Sequence, residues 1–162
     1  MKDVKGLLPW LGLALLIIGL DQASKLYMLA TLDLHQPVVV VPGFNLMLTY
    51  NTGAAFSFLS EAGGWQRWFF VVLAVVVSLV LVTWLYRLPQ QARWLASALA
   101  LILGGAVGNL WDRLYYGYVI DFIQIYYDQW YFPAFNLADS AITVGAVMLI
   151  IDAIWLSQES EA

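Results

Sequence analysis

The chain has 162 residues, 62% hydrophobic and only 11% charged, with a formal net charge of −4. A soluble domain would carry about 25% charged residues, so this composition excludes an ordinary soluble fold and points to an integral membrane protein. The negative balance and the scattered Lys and Arg exclude a nucleic-acid surface, and the lack of cysteine excludes disulfides, thiol nucleophiles and cysteine metal sites.

A single unit spanning 1–162 is expected, all-α, with four transmembrane helices, a small extracytoplasmic β element and an interfacial helix. The first span covers 7–29. Lys2 and Lys5 before an apolar run resemble a secretory signal. No A-x-A site follows, however, and the helical pattern continues through Asp21 and Lys25, so the segment is read as a span that is not removed. Asp21 and Lys25 are four apart and share a helix face.

Residues 36–58 read as a β element on the bilayer surface. Val38 to Val41 is β-branched, Pro42-Gly43 signals a turn, and Phe44 to Tyr50 is strand-like. Asn51-Thr52-Gly53 closes it as a tight turn. The second span, 65–86, carries Trp65, Trp68 and Trp84 near its ends as interface anchors. A short basic loop with Arg87 and Arg93 leads to the third span, 94–111. Gly104 and Gly108 there form a G-x-x-x-G that lets another helix approach closely. Asn109 and Arg113 share a face at its outer end.

Residues 115–135 are dense in Tyr, Trp and Phe, too polar to span and too aromatic to sit free in water. They are expected to lie along the interface, helical in part, as a lid over the acids, paired across them with the Phe44–Phe58 region. The fourth span, 138–156, is entered through Asn136, a good N-cap residue, with Asp139 three positions on.

Four spans put both termini on one side together with Lys2, Lys5, Arg87 and Arg93, which suits the cytoplasm. Asp21, Asn51, Asn109, Asp112, Arg113, Asp121, Asn136 and Asp139 then gather at the outer face. Charge in or near a bilayer is costly and marks function. Asp121 and Asp139 read as a catalytic pair. Close carboxylates cannot both ionise cheaply, so one keeps a proton and its value rises above that of its partner, as in soluble aspartic proteases. The ionised acid can activate water while the protonated one polarises a peptide carbonyl. A proton-coupled transporter is the competing class, but it would more often show inverted repeats or broken helices at the midplane. A structural subunit would not need two Asn and two Asp so placed.

Four ordered motifs carry a resemblance across nearly the whole length. They are D-Q-x-x-K at Asp21–Lys25, N-T-G-A-A-F at Asn51–Phe56, G-N-L-W-D-R at Gly108–Arg113 with V-I-D-F-I at Val119–Ile123, and F-N-L-A-D-S at Phe135–Ser140. In these the chain resembles the lipoprotein signal peptidase family, signal peptidase II. The resemblance implies an aspartic endopeptidase of the bacterial cytoplasmic membrane that cuts prolipoproteins just before a diacylglyceryl-modified cysteine. It implies catalytic roles for Asp121 and Asp139. It implies supporting or substrate-binding roles for Asp21, Lys25, Asn51, Gly53, Asn109, Asp112, Arg113 and Asn136. Expected partners are lipid-modified prolipoproteins and membrane lipids, with no metal, no cofactor and a monomeric state.

Overall fold

The computed structural model describes residues 6–53 and 64–156. The chain order is α1 (Leu8–Thr31), β1 (Val38–Val41), β2 (Phe44–Asn51), α2 (Trp65–Arg87), α3 (Arg93–Tyr115), β3 (Val119–Tyr127), β4 (Trp130–Tyr131) and α4 (Leu137–Ile151), which ends in a π-helical turn, Asp152–Leu156. Among the described residues four helices are long and apolar enough to cross a membrane. Pro9 stands in the first turn of α1, where its missing N–H costs nothing.

The third span is the centre of the bundle. In its most apolar window 56% of residues are buried within the protein, against 17% in each of the other three. It packs against α1, α2 and α4, and the apolar core is built on Leu99 and Leu103 with Ala14, Leu81, Leu85 and Ala96. The outward faces of the other helices, such as Val72, Val76, Leu79 and Val80 of α2, are exposed as a lipid-facing surface would be.

Small residues set how closely the helices approach. A Cβ on Gly104 would stand 2.7 Å from Ile17 Cβ, and one on Gly108 2.7 Å from Asp21 Oδ2, so the G-x-x-x-G receives α1. Gly105 turns to α4, where a Cβ would fall on the Ala138 carbonyl and lie 2.7 Å from Ile142 Cγ1. Close backbone approach of this kind replaces the hydrophobic drive that helices lack inside lipid.

Outside the bundle the described residues form one antiparallel sheet, ordered β1-β2-β3-β4. Here the expectation for 115–135 is corrected. The segment is not an interfacial helix. Its centre, V-I-D-F-I-Q-I-Y-Y, is strand β3, and β2 pairs with it from Phe44↔Ile125 to Asn51↔Val119. β-Branched and aromatic residues favour a strand, and the partner that satisfies its backbone groups lies about seventy positions away in sequence. The aromatic segment and β2 are therefore neighbours in one sheet, not two covers facing each other. The last five residues of the expected β element, 54 to 58, lie outside the described residues.

Two details aim this sheet at the bundle. The β2–β3 register slips between Leu46 and Thr49, a bulge next to the Thr49↔Asp121 pair. Phe135 bridges Ile123, donating to its carbonyl at 3.0 Å and accepting from its N–H at 2.8 Å. That bridge delivers Asn136, the next residue, to the side of Asp121.

The α3–α4 approach gives a test. Gly105→Ala is expected to destabilise the protein by about 1–3 kcal/mol, because the clash is with backbone that cannot yield. Gly12→Ala and Gly19→Ala, with nothing within 4 Å of the added carbon, are expected to be neutral or slightly stabilising. Thermal unfolding in detergent compares the three. Equal melting temperatures for Gly105→Ala and the two controls would remove the close-packing account.

Candidate active site

The site lies where the outer ends of α1 and α3, the start of α4 and the strand β3 meet. Its foundation is a buried ion cluster. Lys25 Nζ pairs with Asp21 Oδ2 at 2.7 Å, one turn back on α1, and with Asp112 Oδ2 at 2.8 Å on α3; all three side chains are at most 1% exposed. Its third bond goes to Asn109 Oδ1 at 3.0 Å. The three donors of the ammonium are thereby all used.

Both acids also satisfy backbone. Asp21 Oδ1 accepts from the Ala138 N–H at 3.0 Å, in the first turn of α4. Asp112 Oδ2 accepts from the Ile120 N–H at 3.1 Å, which ties α3 to β3. Gln22, which the sequence reading did not single out, donates to Asp112 Oδ1 at 2.8 Å and reaches the Gly108 carbonyl at 3.2 Å. Its one signal was its place within the D-Q-x-x-K motif.

Above this cluster sit Asp121, 1% exposed on β3, and Asp139 in the first turn of α4. Asn136 joins them. It is the N-cap of α4 in a capping box: its Oδ1 accepts from the Asp139 N–H at 2.8 Å, and Asp139 Oδ2 accepts from the Asn136 N–H at 3.2 Å. Its Nδ2 donates to Asp121 Oδ1 at 2.7 Å and to Asn109 Oδ1 at 3.1 Å. Asn109 Nδ2 donates to Asp139 Oδ1 at 2.7 Å, and Asn51 Nδ2 to Asp121 Oδ2 at 3.0 Å. All four carboxylate oxygens thus face N–H donors of neutral amides. Among the described residues both ion pairs belong to Lys25, and neither Asp121 nor Asp139 is neutralised directly by a cation.

That environment governs protonation. Burial, followed by the charge of Asp139, pushes the Asp121 carboxyl up to about 7, while the bonds from Asn51 and Asn136 and the charge of Lys25 oppose the rise. Two acids so held can carry a single proton between them close to neutrality.

The rim completes the arrangement. Asn51 Oδ1 accepts from the Gly53 N–H at 3.0 Å, the local turn that Asn favours. Arg113 Nη2 donates to the Gly53 carbonyl at 3.0 Å, and its guanidinium lies 5.0 Å over the Phe70 ring. Arg67, from α2, donates to the carbonyls of Arg113 and Leu114 at 2.8 and 3.0 Å and so caps the end of α3 with a cation. Every residue singled out for the site in the sequence, from Asp21 and Lys25 through Asn51, Gly53, Asn109, Asp112 and Arg113 to Asp121, Asn136 and Asp139, falls within this one network.

The ion cluster can be tested by itself. Lys25→Met would leave Asp21 and Asp112 buried without their cation, which costs about 3–5 kcal/mol where one partner of a buried pair is removed. Denaturant unfolding of the purified protein is expected to report that loss. A midpoint equal to that of the unsubstituted chain would show that the cluster does not hold the helices.

Comparison with other proteins gives a family. The family model described as Signal peptidase (SPase) II matches residues 13–155. A lipoprotein signal peptidase of Pseudomonas aeruginosa is 56% identical over 166 residues, covering 100% of this chain and 98% of its own. One of Pseudomonas syringae pv. tomato is 59% identical over 149 residues, covering 91% of this chain and 86% of its own. Two solved structures described as bacterial membrane enzymes superpose with TM-scores of 0.83 and 0.77, both at 29% identity, covering 95% and 91% of this chain and 92% and 93% of theirs. With matches that run the length of the chain, a fold shared with membrane enzymes and a pair of aspartates at its polar centre, the chain belongs to the signal peptidase II family, the aspartic peptidases of bacterial membranes that remove signal peptides from prolipoproteins.

Proposed function

We propose that Asp121 and Asp139 are the catalytic pair, and that the bond they cleave lies just before a diacylglyceryl-modified cysteine. One observation carries the reading: two carboxylates from different elements share the Asn136 side chain and backbone as donors, and among the described residues no cation pairs with either. Such a pair keeps one proton. The ionised acid takes a proton from the attacking water, and the protonated acid donates to the scissile carbonyl oxygen. On collapse of the tetrahedral intermediate a proton passes to the leaving amine. Asn109, Asn136 and Asn51 hold the acids; Asp21, Lys25 and Asp112 hold the amides and the start of α4. The cysteine-borne acyl chains stay in lipid while the peptide bond meets the acids at the end of the bundle.

The same reading supplies an orientation. The sheet and the acids share one end of the bundle, and Arg87 and Arg93 mark the other, with Lys2 and Lys5 ahead of α1 in sequence. With the lysine- and arginine-rich end in the cytoplasm, both termini are cytoplasmic and the acids stand at the outer face of the cytoplasmic membrane. The chain acts as one unit from 1 to 162, as a monomer, with prolipoproteins and lipids as its partners.

Incubating the purified protein with a synthetic diacylglyceryl-modified prolipoprotein, with mass spectrometry of the products, is the direct test. Cleavage on the amino side of the modified cysteine is expected; cutting elsewhere, or none, refutes the assignment. Asp121→Asn and Asp139→Asn are each expected to abolish turnover while the protein folds and inserts as before. Near-normal turnover by either would remove the pair.

The pH dependence follows from Asp121. Its folded value, about 7, lies above the unfolded 3.8. The folded state therefore holds a proton that the unfolded state releases, so this contribution to stability is complete below 3.8 and is lost as pH rises through about 7. Turnover is expected to fall over the same upper range, as the pair loses its shared proton. A melting temperature that declines between pH 5 and 8 in the native chain, with a shallower decline in Asp121→Asn, is the expected signature; identical slopes would contradict it.

A further inference from the structure

The Asn51 amide has a fixed polarity. Its Oδ1 accepts from the Gly53 N–H and its Nδ2 donates to Asp121 Oδ2, both at 3.0 Å. A backbone N–H only donates, so turning the amide over would set donor against donor at Gly53 and oxygen against carboxylate at Asp121. The short turn thus decides whether Asp121 meets a donor there.

The turn is itself held from α3. Arg113 Nη2 donates to the Gly53 carbonyl at 3.0 Å and Nη1 to the Asn109 carbonyl at 3.3 Å. A guanidinium fork matches a carboxylate in geometry. Here it stands close enough to feel the charges of Asp139 and Asp121, yet among the described residues its hydrogen bonds go to carbonyls. An arginine that serves the acids only by charge has no need of the Gly53 carbonyl.

We propose that Arg113 is a positioning residue that acts on Asp121 through Gly53 and Asn51, pinning the turn so that the Asn51 amide presents its NH2 group to the carboxylate. The inference rests on the reading of Asp121 as one half of the catalytic pair and adds what sets the working pH of that pair. A hydrogen bond to the ionised form favours it, so the Asn51 bond opposes the upward push of burial and of Asp139. Among the described residues the other charged groups acting on Asp121 come from three helices. Asp139 comes from α4, Lys25 from α1 and Arg113 from α3. Asp21 and Asp112 are engaged with Lys25. β2 brings Tyr50, stacked on Tyr118 at 4.3 Å, and no charged side chain.

The test follows cleavage of a synthetic diacylglyceryl-cysteine signal peptide by the purified full chain against pH. Beside it runs the infrared carboxyl band of the enzyme alone, where subtraction of the Asp121→Asn spectrum isolates the Asp121 titration. Asn51→Ala is expected to move that titration, and the high-pH limb of cleavage, upward by about one pH unit, the loss of one hydrogen bond to an ionised group. Arg113→Lys keeps the charge and loses the fork, and is expected to shift both the same way. The double variant is expected to shift no further than Asn51→Ala alone. Arg113→Gln, combined with Asn51→Ala in the same fashion, serves if lysine at this position does not fold. An unmoved titration in Arg113→Lys, or a double variant whose shift is the sum of the two singles, overturns the relay. The infrared reading needs no turnover. A titration that responds to both residues in a protein that does not cleave the peptide refutes the substrate and keeps the relay, whereas cleavage with an unmoved titration refutes the relay alone.

Discussion

Charge buried at the end of a membrane-spanning bundle must be compensated within the protein, and the cluster of Lys25 with Asp21 and Asp112 is where this happens. An ammonium deprived of water needs acceptors in the directions of its N–H bonds, and here it has three. Because they come from α1 and α3, the need to satisfy one lysine locks the rotation of one helix against the other. The same two acids extend the constraint, Asp21 Oδ1 to the Ala138 N–H on α4 and Asp112 Oδ2 to the Ile120 N–H on β3. Four separate elements thereby have their positions defined by one ionic centre.

The cluster also sets the character of the chemistry above it. Lys25 donates to Asn109 Oδ1, so that amide must turn its NH2 toward Asp139. The cation is used up one layer below the acids. It acts on the acids through an oriented neutral dipole and through its charge, which opposes the rise at Asp121 without pairing with it. A lysine or arginine paired directly with Asp121 or Asp139 would favour ionisation of both. Neutral amides stabilise a carboxylate enough to keep it buried and leave room for a shared proton. The raised value of Asp121, driven first by burial, is the mark of that compromise. A preorganised polar frame in a poorly hydrated site is also what stabilises developing charge in a reaction.

The sheet performs a different task. Its inner end is buried, with Val119 and Ile120 almost fully covered, while Ile125, Tyr127 and Trp130 at its far end are exposed. The β2–β3 pairing carries Asp121 at the buried end, and the Phe135 bridge to Ile123 brings the start of α4 alongside. One acid sits on a strand and the other on a helix, so their separation is set where a sheet docks on a bundle. A membrane enzyme gains from this: the helices satisfy their own backbone in lipid, and the irregular backbone that the site needs lies at the edge, where other groups can pair with it.

Much of this was legible in the residues themselves. Four apolar runs of spanning length, the Asp21–Lys25 spacing, the Asn136–Asp139 cap and the close-approach glycines are local signals, decided within one or two helical turns, and each has its counterpart in the structure. The interfacial helix expected within residues 115–135 is a strand because an aromatic, half-polar stretch is compatible with either, and only the distant β2 decides between them. The pairing of Lys25 with Asp112, the part of Gln22, and the hold of Arg113 on Gly53 escaped for the same reason: each joins positions far apart in the chain. By itself the sequence determined which residues are polar in an apolar chain and which segments cross the membrane, since period and composition act locally. Tertiary structure alone decided which oxygen meets which N–H. Amide orientation and the protonation of Asp121 depend on partners that only the folded chain brings within hydrogen-bond distance.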